Sequence, residues 1–261
     1  MAPPVVILVR PQLVQNVGMV LRAMANCGLD RLRLVAPRET WPSDDGQAAA
    51  AGAATLMTEI AVFDNLDAAL ADLHRVYATT ARPRDQVKPV LTPEAAADAI
   101  RAEAASGARS GLVFGPERTG LENDEAARAD AFVTVPLNPQ FTSLNLAQAV
   151  LLTGYAWRRA QDGTPNPDQP APAPAPGSAG APATQAELEG FLGRLEAALE
   201  AGGFFTEPER RPGTLRNIRN IFARNGLTAG EVDTLHGILS ALILTPKSPR
   251  KKKARRPTRE V

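Results

Sequence analysis

The stretch Gly111–Leu121, GLVFGPERTGL, decides how the first half of the chain is interpreted. Its apolar residues predict a buried strand that ends at Gly115, and Pro-Glu-Arg-Thr-Gly follows at once. Ligands of α/β proteins bind beyond the carboxyl ends of parallel strands, so the loop between Gly115 and Gly120 is a candidate binding loop. Within it, Glu117 and Arg118 either pair with each other or face a substrate. An ordinary tight turn from strand to helix is the alternative for this stretch alone.

Apolar runs and helical patterns alternate through residues 1–160. Apolar residues at helical spacing, such as Val17, Val20, Leu21 and Met24, predict helices between the runs. The alternation predicts an α/β domain whose parallel sheet is covered by helices on both faces. The predicted strands are Val5–Val9, Arg31–Val35, Ile60–Phe63, Arg75–Thr79, Gly111–Gly115 and Phe132–Val135.

The rest of the chain divides into three segments. Residues 161–183 predict a linker rich in Pro and Ala, because seven of the 20 residues from 164 to 183 are proline. Residues 184–246 carry three apolar stripes at helical spacing, which predict a small helical domain. Residues 247–261 contain eight Lys or Arg and one Glu, and we expect this basic tail to be disordered.

Charge is divided unevenly between the tail and the body. The formal net charge is +1, yet residues 1–246 carry 21 basic and 27 acidic side chains. The tail suits attraction to phosphate groups, or it only keeps the protein in solution. The middle helix of the predicted bundle carries Arg216, Arg219, Asn220 and Arg224, which form either a solvated face or a face for RNA.

Composition excludes several classes of protein. A single cysteine, Cys27, excludes an internal disulfide and a thiolate metal cluster, and we expect it to lie in the core. His74 and His236 lack metal-ligand spacing and are expected to be ordinary packing or surface residues, so no metal site is expected. No apolar stretch approaches the ~20 residues that cross a membrane. The sequence opens without a secretory signal pattern, and we expect a cytoplasmic protein without a membrane partner.

A second polar stretch, Gln15–Leu29, follows the first predicted strand. Asn16 stands where the N-cap of the next helix is expected, and Gly18 allows another backbone or a ligand to approach closely. Arg22 lies off the apolar stripe of that helix. Taken alone, the stretch is better described as a cap followed by a surface arginine.

A third polar stretch, Val133–Val150, contains an Asn-Pro pair before a helix. Thr142 or Ser143 is the expected cap of that helix, which we expect to begin near Leu144 with Asn145 in its first turn. None of the three stretches has the spacing of a Walker loop or of G-x-G-x-x-G. A phosphate cradle and a dinucleotide fingerprint are therefore unsupported.

Taken in order, the three stretches resemble the motifs of the SPOUT class of RNA methyltransferases: NVGMVLRAM, FGPERTGL and VPLNPQFTSLNLAQAV. The resemblance is greatest to the TrmJ type of tRNA 2′-O-ribose methyltransferase, from Pro3 to about Arg159. GFFTEPERR and EVDTLHGIL resemble the helical extension of that type. The chain departs from the pattern in RPQLVQ, which precedes Asn16, and in the bulky MVL that follows Gly18.

The resemblance implies a sheet whose last strand and helix form a C-terminal trefoil knot, which a pattern of elements alone would not predict. It also implies S-adenosyl-L-methionine as the methyl donor, with glycines that let backbone groups close around the adenosine. By motif matching, the contacts with the donor fall on Thr79, Thr80, Ala81, Gly115, Val135, Thr142, Ser143 and Leu144.

The resemblance further implies that a ribose 2′-oxygen attacks the donated methyl group, with Arg22 as the essential residue. Because a guanidinium is hardly deprotonated in proteins, we expect Arg22 to stabilise the developing alkoxide while the proton passes to phosphate or water. Asn16 would orient Arg22 or the ribose. Support of the pocket or of the substrate falls on Gly18, Glu117, Arg118, Gly120 and Asn145.

The TrmJ type implies a tRNA substrate, methylated on the pyrimidine of nucleotide 32 in the anticodon loop, and a homodimeric enzyme. Two alternatives stay open at this point. One is a 2′-O-methyltransferase for another tRNA or rRNA ribose, and the other is a non-catalytic RNA-binding protein of the same fold. The presence of Arg22 favours an enzyme, since a protein that only binds RNA does not need that group beside a methyl donor.

Overall fold

A computed structural model describes residues 2–80, 86–161, 180–223 and 226–244. Ala81, Arg224, the basic tail 247–261 and most of the Pro/Ala-rich segment lie outside these ranges, so the predictions made for them are not addressed by the structure. Among the described residues, no helix is long and apolar enough to cross a membrane.

The centre of the first domain is a seven-stranded sheet in which every neighbouring pair is parallel. The strand order is β3-β2-β1-β6-β4-β7-β5, so β7 lies between two strands that precede it in sequence. The six predicted strands are all present, and their bounds differ from the prediction by at most two residues. The two-residue β5 was not predicted. The strands are β1 Val5–Val9, β2 Arg31–Val35, β3 Glu59–Phe63, β4 Arg75–Thr79, β5 Val90–Leu91, β6 Ser110–Phe114 and β7 Ala131–Val133.

Helices connect the strands and then form a separate C-terminal group. Several begin at a side-chain cap: Thr92 Oγ1 accepts from Ala95 N, and Thr184 forms a capping box with Glu187. The helices are α1 Val14–Asn26, α2 Asp44–Ala50, α3 Leu66–Leu70, α4 Pro93–Ala105, α5 Asn123–Ala126, α6 Leu146–Gln161, α7 Gln185–Ala201, α8 Arg211–Ala223 and α9 Ala229–Leu244.

Each strand sends alternate side chains to opposite faces of the sheet. In β1, Val6 and Leu8 pack in the core beneath α1, α4 and α6, where Trp157 is fully buried. Ile7 packs with α3 and α5 on the other face. Strands buried on both sides read as continuous apolar runs, which explains why the sequence predicted them well. Cys27 lies in the first core as expected, and burial raises the pKa of its thiol.

The C-terminal helices form the predicted bundle around their own core, which includes Leu188, Phe191 and Val232. The third stripe is only partly buried, because Ile238 and Leu242 of α9 are exposed. Neither alternative for the polar positions of α8 describes them fully. Asn220 is buried, and both arginines are paired within the chain: Arg216 with Asp124, and Arg219 with Glu189.

The bundle contacts the sheet domain through its first helix. The backbone nitrogens of Gln185 and Ala186 donate to the carbonyl oxygens of Leu73 and Ala71, at 2.8 and 3.2 Å. The first turn of α7 is thereby satisfied by carbonyls that follow α3, which suits the dipoles of both helix ends.

A buried polar cluster lies at the amino end of β4 and β6, away from the carboxyl ends. Tyr77 and Ser110 donate to the carboxylate of Glu103, each at 2.8 Å, and Asp130 accepts from Val76 N at 2.7 Å. Burial raises the pKa of Asp130 to about 6 and lowers the pKa of Lys88 to about 8. Because these side chains are hydrogen-bonded, they stabilise the amino end of these strands, beside the bundle.

Gly18 marks a close contact between α1 and α2. A Cβ atom at this position would lie 2.3 Å from the carbonyl oxygen of Gly46 and 2.8 Å from the nitrogen of Ala50, and both are backbone atoms of α2. The close approach expected at Gly18 is therefore one between helices, and the ligand alternative is not needed.

Gly18→Ala should lower the free energy of unfolding by about 1–3 kcal/mol, because the clash with the α2 backbone outweighs the gain of up to about 1 kcal/mol in helix propensity. Urea denaturation followed by circular dichroism measures the change. Gln15→Ala, at an exposed position of the same helix, should stay within about 0.5 kcal/mol of the wild type. Equal midpoints for the wild type and Gly18→Ala would contradict the interpretation.

Candidate active site

A pocket of about 270 Å³ opens at the carboxyl ends of β6, β4 and β7. These three strands are neighbours in the sheet, so the loops that follow them meet at one edge. The lining includes the end of β4, Thr153 and residues of the two candidate stretches in the second half of the domain, 111–121 and 133–150: Thr79, Thr80, Phe114, Gly115, Pro116, Glu117, Arg118, Thr119, Gly120, Val133, Val135, Leu137, Thr142, Ser143, Leu144, Leu146, Ala149 and Thr153.

The loop 115–121 folds tightly on itself. A Cβ atom on Gly115 would lie 2.3 Å from the nitrogen of Leu121, and Gly120 N donates to Pro116 O at 2.9 Å. Gly120 has a φ of 65°, in the left-handed region that favours glycine. The two glycines are thus required by the approach of the loop to its own backbone, which brings Glu117 and Arg118 to the pocket.

The first turn of α1 differs from the prediction. Asn16 is not the N-cap: α1 begins at Val14 with Leu13 as N-cap, and Val14 N donates to the carboxylate of Glu39 at 2.7 Å. Because α1 begins before Asn16, this residue lies within the first turn and its side chain does not cap the helix. Its Nδ2 donates to Glu117 Oε1 at 2.7 Å.

Glu117 connects the two stretches. Besides the bond from Asn16, its Oε2 accepts from the backbone nitrogen of Gln12 at 3.2 Å. Of the two alternatives for Glu117, neither describes its contacts, since its carboxylate accepts from Gln12 and Asn16. Arg22 is exposed on α1, almost two turns beyond Asn16.

The third stretch also begins its helix later than predicted. The first residue of α6 is Leu146, and Asn145 precedes it, with Asn145 Oδ1 accepting from Ala147 N at 2.8 Å. Asn145 is therefore the capping residue, and neither Thr142 nor Ser143 takes that role. An asparagine is as good a cap as serine or threonine, and it stands nearer to the helix. Thr142 and Ser143 are left exposed at the pocket.

The structure brings together most of the predicted site residues. Ten of them line the pocket, whereas Asn16 reaches it through Glu117, and Gly18, Arg22 and Asn145 are outside the lining. The loops are held to each other at Thr80, whose nitrogen donates to Val133 O at 3.0 Å and whose carbonyl accepts from Thr134 Oγ1 at 3.0 Å.

Some contacts of the site have no signal in the sequence. The hydrogen bond from Val14 N to Glu39, which caps α1, joins residues 25 positions apart, and no local sequence pattern predicts it. Leu137, Ala149 and Thr153 of the pocket wall looked like ordinary apolar or helical positions.

The lining combines apolar walls with exposed hydroxyls and backbone groups, a combination that fits a ligand with both apolar and polar edges. In the part of the chain that the structure describes, no group of three or more His, Cys, Asp or Glu side chains could hold a metal ion. His74 accepts from Arg109 N at 3.0 Å, and His236 packs edge-on against Phe191, so both are packing residues as expected.

Comparison with known proteins identifies the family. Residues 3–155, more than half of the chain, match the model of the SpoU rRNA Methylase family, and residues 186–257 match the model of the tRNA methyltransferase TrmJ, C-terminal domain. The chain therefore belongs to the SpoU methylase family.

Its relatives are similar along nearly the whole length. The tRNA (cytidine/uridine-2′-O-)-methyltransferase TrmJ of Pectobacterium atrosepticum is 35% identical over 243 residues, covering 91% of this chain and 95% of the relative. The tRNA (cytidine/uridine/adenosine-2′-O-)-methyltransferase TrmJ of Pseudomonas aeruginosa is 34% identical, covering 90% and 91%. The crystal structure of TrmJ from Z. mobilis ZM4 superposes with a TM-score of 0.81 at 44% identity, covering 92% of this chain and 99% of that one.

These similarities confirm the resemblance to the TrmJ type. They also confirm the predicted class of enzyme, a methyltransferase, and the predicted methyl donor, S-adenosyl-L-methionine. The α/β class with a parallel sheet and a C-terminal helical region is confirmed by the structure itself.

Gly115→Ala should raise the Kd for S-adenosyl-L-methionine at least about tenfold, because the added methyl group must displace the Leu121 backbone and open the loop. Isothermal titration calorimetry on the purified protein measures it. Gly190→Ala adds the same methyl group to a position in α7 with open space around it, and it should leave the Kd unchanged. A Gly115→Ala protein with the wild-type Kd would show that the loop does not shape the donor site.

Proposed function

We propose that the protein transfers a methyl group from S-adenosyl-L-methionine to a ribose 2′-oxygen of tRNA, at the pyrimidine of nucleotide 32 in the anticodon loop. The observation that carries the proposal is the junction at Glu117. There the loop of the pocket meets the helix that bears Asn16 and Arg22, in a chain of a methylase family.

The substrate class is supported by the relatives, which are named as tRNA 2′-O-methyltransferases. One relative is named for cytidine and uridine, and the other for cytidine, uridine and adenosine. We infer that this protein methylates cytidine and uridine, because both names include these two nucleosides. Nucleotide 32 follows from the resemblance to the TrmJ type. A tRNA substrate also agrees with the cytoplasmic location expected from the sequence.

The pocket fits the methyl donor in its chemistry. Val135, Leu137 and Leu144 offer apolar contact, while Thr79 and Gly115 offer polar groups at the strand ends. When bound, S-adenosyl-L-methionine supplies a methyl group on a sulfonium, which an oxygen nucleophile can take. Ala81 is assigned to the same site by motif matching alone.

Arg22 binds the substrate and stabilises the charge that develops during transfer, and Asn16 positions Arg22. Arg22 is exposed and permanently cationic, so it can bind a backbone phosphate and stabilise the negative charge that develops on the 2′-oxygen. The hydroxyl proton leaves to that phosphate or to water. Asn16, held by Glu117, fixes the helix from which Arg22 extends. Arg118 and Gly120 support the substrate or the pocket from its lining, and Asn145 does so by capping α6, whereas Gly18 acts only through the packing of α1 on α2.

Arg22→Ala should slow methyl transfer at least about 100-fold, because removal of one donor that stabilises the transition-state charge lowers the rate by about 10²–10³-fold. The Kd for the methyl donor should stay within about threefold of the wild type. The test incubates purified protein with unmodified tRNA transcripts and methyl-labelled S-adenosyl-L-methionine, and maps the products by nuclease digestion and mass spectrometry. Arg38→Ala, at an exposed position beyond β2, is the control and should keep wild-type activity.

A 2′-O-methyl pyrimidine at nucleotide 32, absent with Arg22→Ala, is the expected product. A methyl group at another ribose would overturn the assignment of nucleotide 32 and keep the reaction. Absence of transfer to any tRNA by the wild type would overturn the proposed function.

We also infer the trefoil knot that the resemblance implies. At the end of β7, Thr134 N donates to Leu91 O at 2.9 Å and Thr134 Oγ1 to Thr80 O at 3.0 Å. The chain thus leaves β7 between the two ends of the connection from β4 to β5, an arrangement that supports threading. An experimental structure whose backbone forms an unknotted chain would contradict the knot.

The homodimer is likewise our proposal, and one face of α6 supports it. Leu151, Leu152 and Tyr155 lie on that face, three and four residues apart, and are 41%, 39% and 58% exposed. The opposite face of α6 lines the pocket through Leu146, Ala149 and Thr153. A second copy packed on the exposed face would stand beside the site and extend the surface for tRNA.

The wild type should sediment at twice the mass of the 27.6 kDa chain. Tyr155→Glu should shift it toward the monomer, because a charge in an apolar interface is desolvated without a partner. Leu242→Glu makes a similar change at a position of α9 that is 70% exposed, and it should not shift the mass. A monomeric wild type at micromolar concentration would contradict the dimer.

A further inference from the structure

Arg10 has an unusual backbone for an arginine. It follows β1 directly and has a φ of 46°, in the left-handed region that residues other than glycine rarely adopt. Its nitrogen donates to Val35 O at 2.8 Å, so the turn that directs the chain from β1 toward α1 is fixed at the end of β2. A backbone held in this conformation indicates that the surrounding contacts determine it.

The guanidinium of Arg10 binds two glutamates of α5 and its cap. Nη2 donates to Glu122 Oε1 at 3.0 Å and to Glu125 Oε2 at 3.2 Å, and Nη1 pairs with Glu125 Oε1. The Glu125 side chain is only 12% exposed, so this pair is screened less than a surface pair. Glu125 Oε2 also accepts from Glu122 N at 2.7 Å, in the capping box of α5. Arg10 therefore binds the residues that end the loop of the pocket.

The same segment is bound a second time, near the start of that loop. Gln12 N and Asn16 Nδ2 both donate to the carboxylate of Glu117. Segment 10–16 is thus attached to the pocket loop at both of its ends, at Glu117 and at Glu122 with Glu125. Arg10 is not among the residues that line the pocket.

We propose that Arg10 is a positioning residue for the methyl transfer. Its ion pairs with Glu122 and Glu125 set the distance between segment 10–16 and the pocket loop. They thereby keep Asn16 hydrogen-bonded to Glu117, and they keep α1, which carries Arg22, correctly placed relative to the methyl donor. The inference rests on the proposed function, because its effect is read in the transfer step. Two parallel N–H···O bonds to one carboxylate give this pair a defined geometry that a lysine does not provide.

The test compares Arg10→Met with Arg10→Lys and with a matched control, Arg109→Met. Arg109 is 44% exposed and pairs with Asp72 at 3.0 Å, at the amino end of β6 and far from the pocket. Three quantities are measured on the full chain: the single-turnover rate of methyl transfer to tRNA, the Kd for S-adenosyl-L-methionine, and the hydrogen exchange rate of the Gln12 amide.

Arg10→Met should slow transfer about 10- to 100-fold, because a misplacement on the order of 1 Å costs about that factor. The Kd for the methyl donor should change less than about threefold, since Arg10 does not touch the pocket, and exchange of the Gln12 amide should accelerate. Arg10→Lys should fall between Arg10→Met and the wild type. Arg109→Met should match the wild type in all three quantities.

The action through Glu117 gives a further check. If Arg10 works by holding segment 10–16 on that carboxylate, adding Arg10→Met to Glu117→Gln should slow transfer less than about threefold beyond Glu117→Gln alone. Independent, multiplying losses would overturn the proposed route through Glu117.

The outcomes separate this inference from the proposed function. With an active wild type, an unchanged transfer rate in Arg10→Met overturns the positioning role. If the wild type transfers no methyl group to tRNA, the proposed function fails, and the transfer role of Arg10 fails with it. Accelerated exchange of the Gln12 amide in Arg10→Met would then still support the attachment of segment 10–16, whereas unchanged exchange would overturn that too.

Discussion

The parallel arrangement of the sheet is the constraint on which the rest of the structure depends. Every strand runs in the same direction, so each connection must return along a face, and the helices that do so bury both faces. The same arrangement gathers the loops that follow β6, β4 and β7 at one edge. The pocket exists because these three strands are adjacent in space, although residues 80 and 134 are far apart in sequence. A polar cluster around Asp130 occupies the opposite end of the strands.

Within that frame, carboxylates do most of the positioning near the pocket. Glu39 caps α1, Glu117 binds Asn16 and Gln12, and Glu125 binds Arg10 while it also caps α5. Apart from the capping of α5 by its own Glu125, each of these carboxylates comes from a different element from the group it binds. The geometry of the site is therefore a property of tertiary contacts, and the glycines of the loop serve by letting its backbone close on itself.

The sequence predicted the strands because buried parallel strands are apolar runs, and it predicted the bundle from its stripes. The pocket residues could be predicted only from the three motifs together with the family resemblance, because no single stretch specified a reaction. Two errors concern helix caps, because the sequence does not show at which residue α1 and α6 begin. Asn16 and Thr142 or Ser143 were assigned as caps by a local rule, whereas Glu39 and Asn145 took those roles. A contact such as Asn16 with Glu117, across 101 positions, has no local signature. β5 is too short to form a pattern.

The attachment of α7 to the sheet domain has a consequence for how the two parts evolve. It uses main-chain atoms on both sides, the nitrogens of Gln185 and Ala186 and the carbonyls of Leu73 and Ala71. Any residue other than proline at 185 or 186 retains those donors, and any residue at 71 or 73 retains the acceptors. The hydrogen bonds of this seam therefore do not depend on which side chains stand at these positions, and substitutions on the outer surface of the bundle leave the backbone contacts that orient α7 in place.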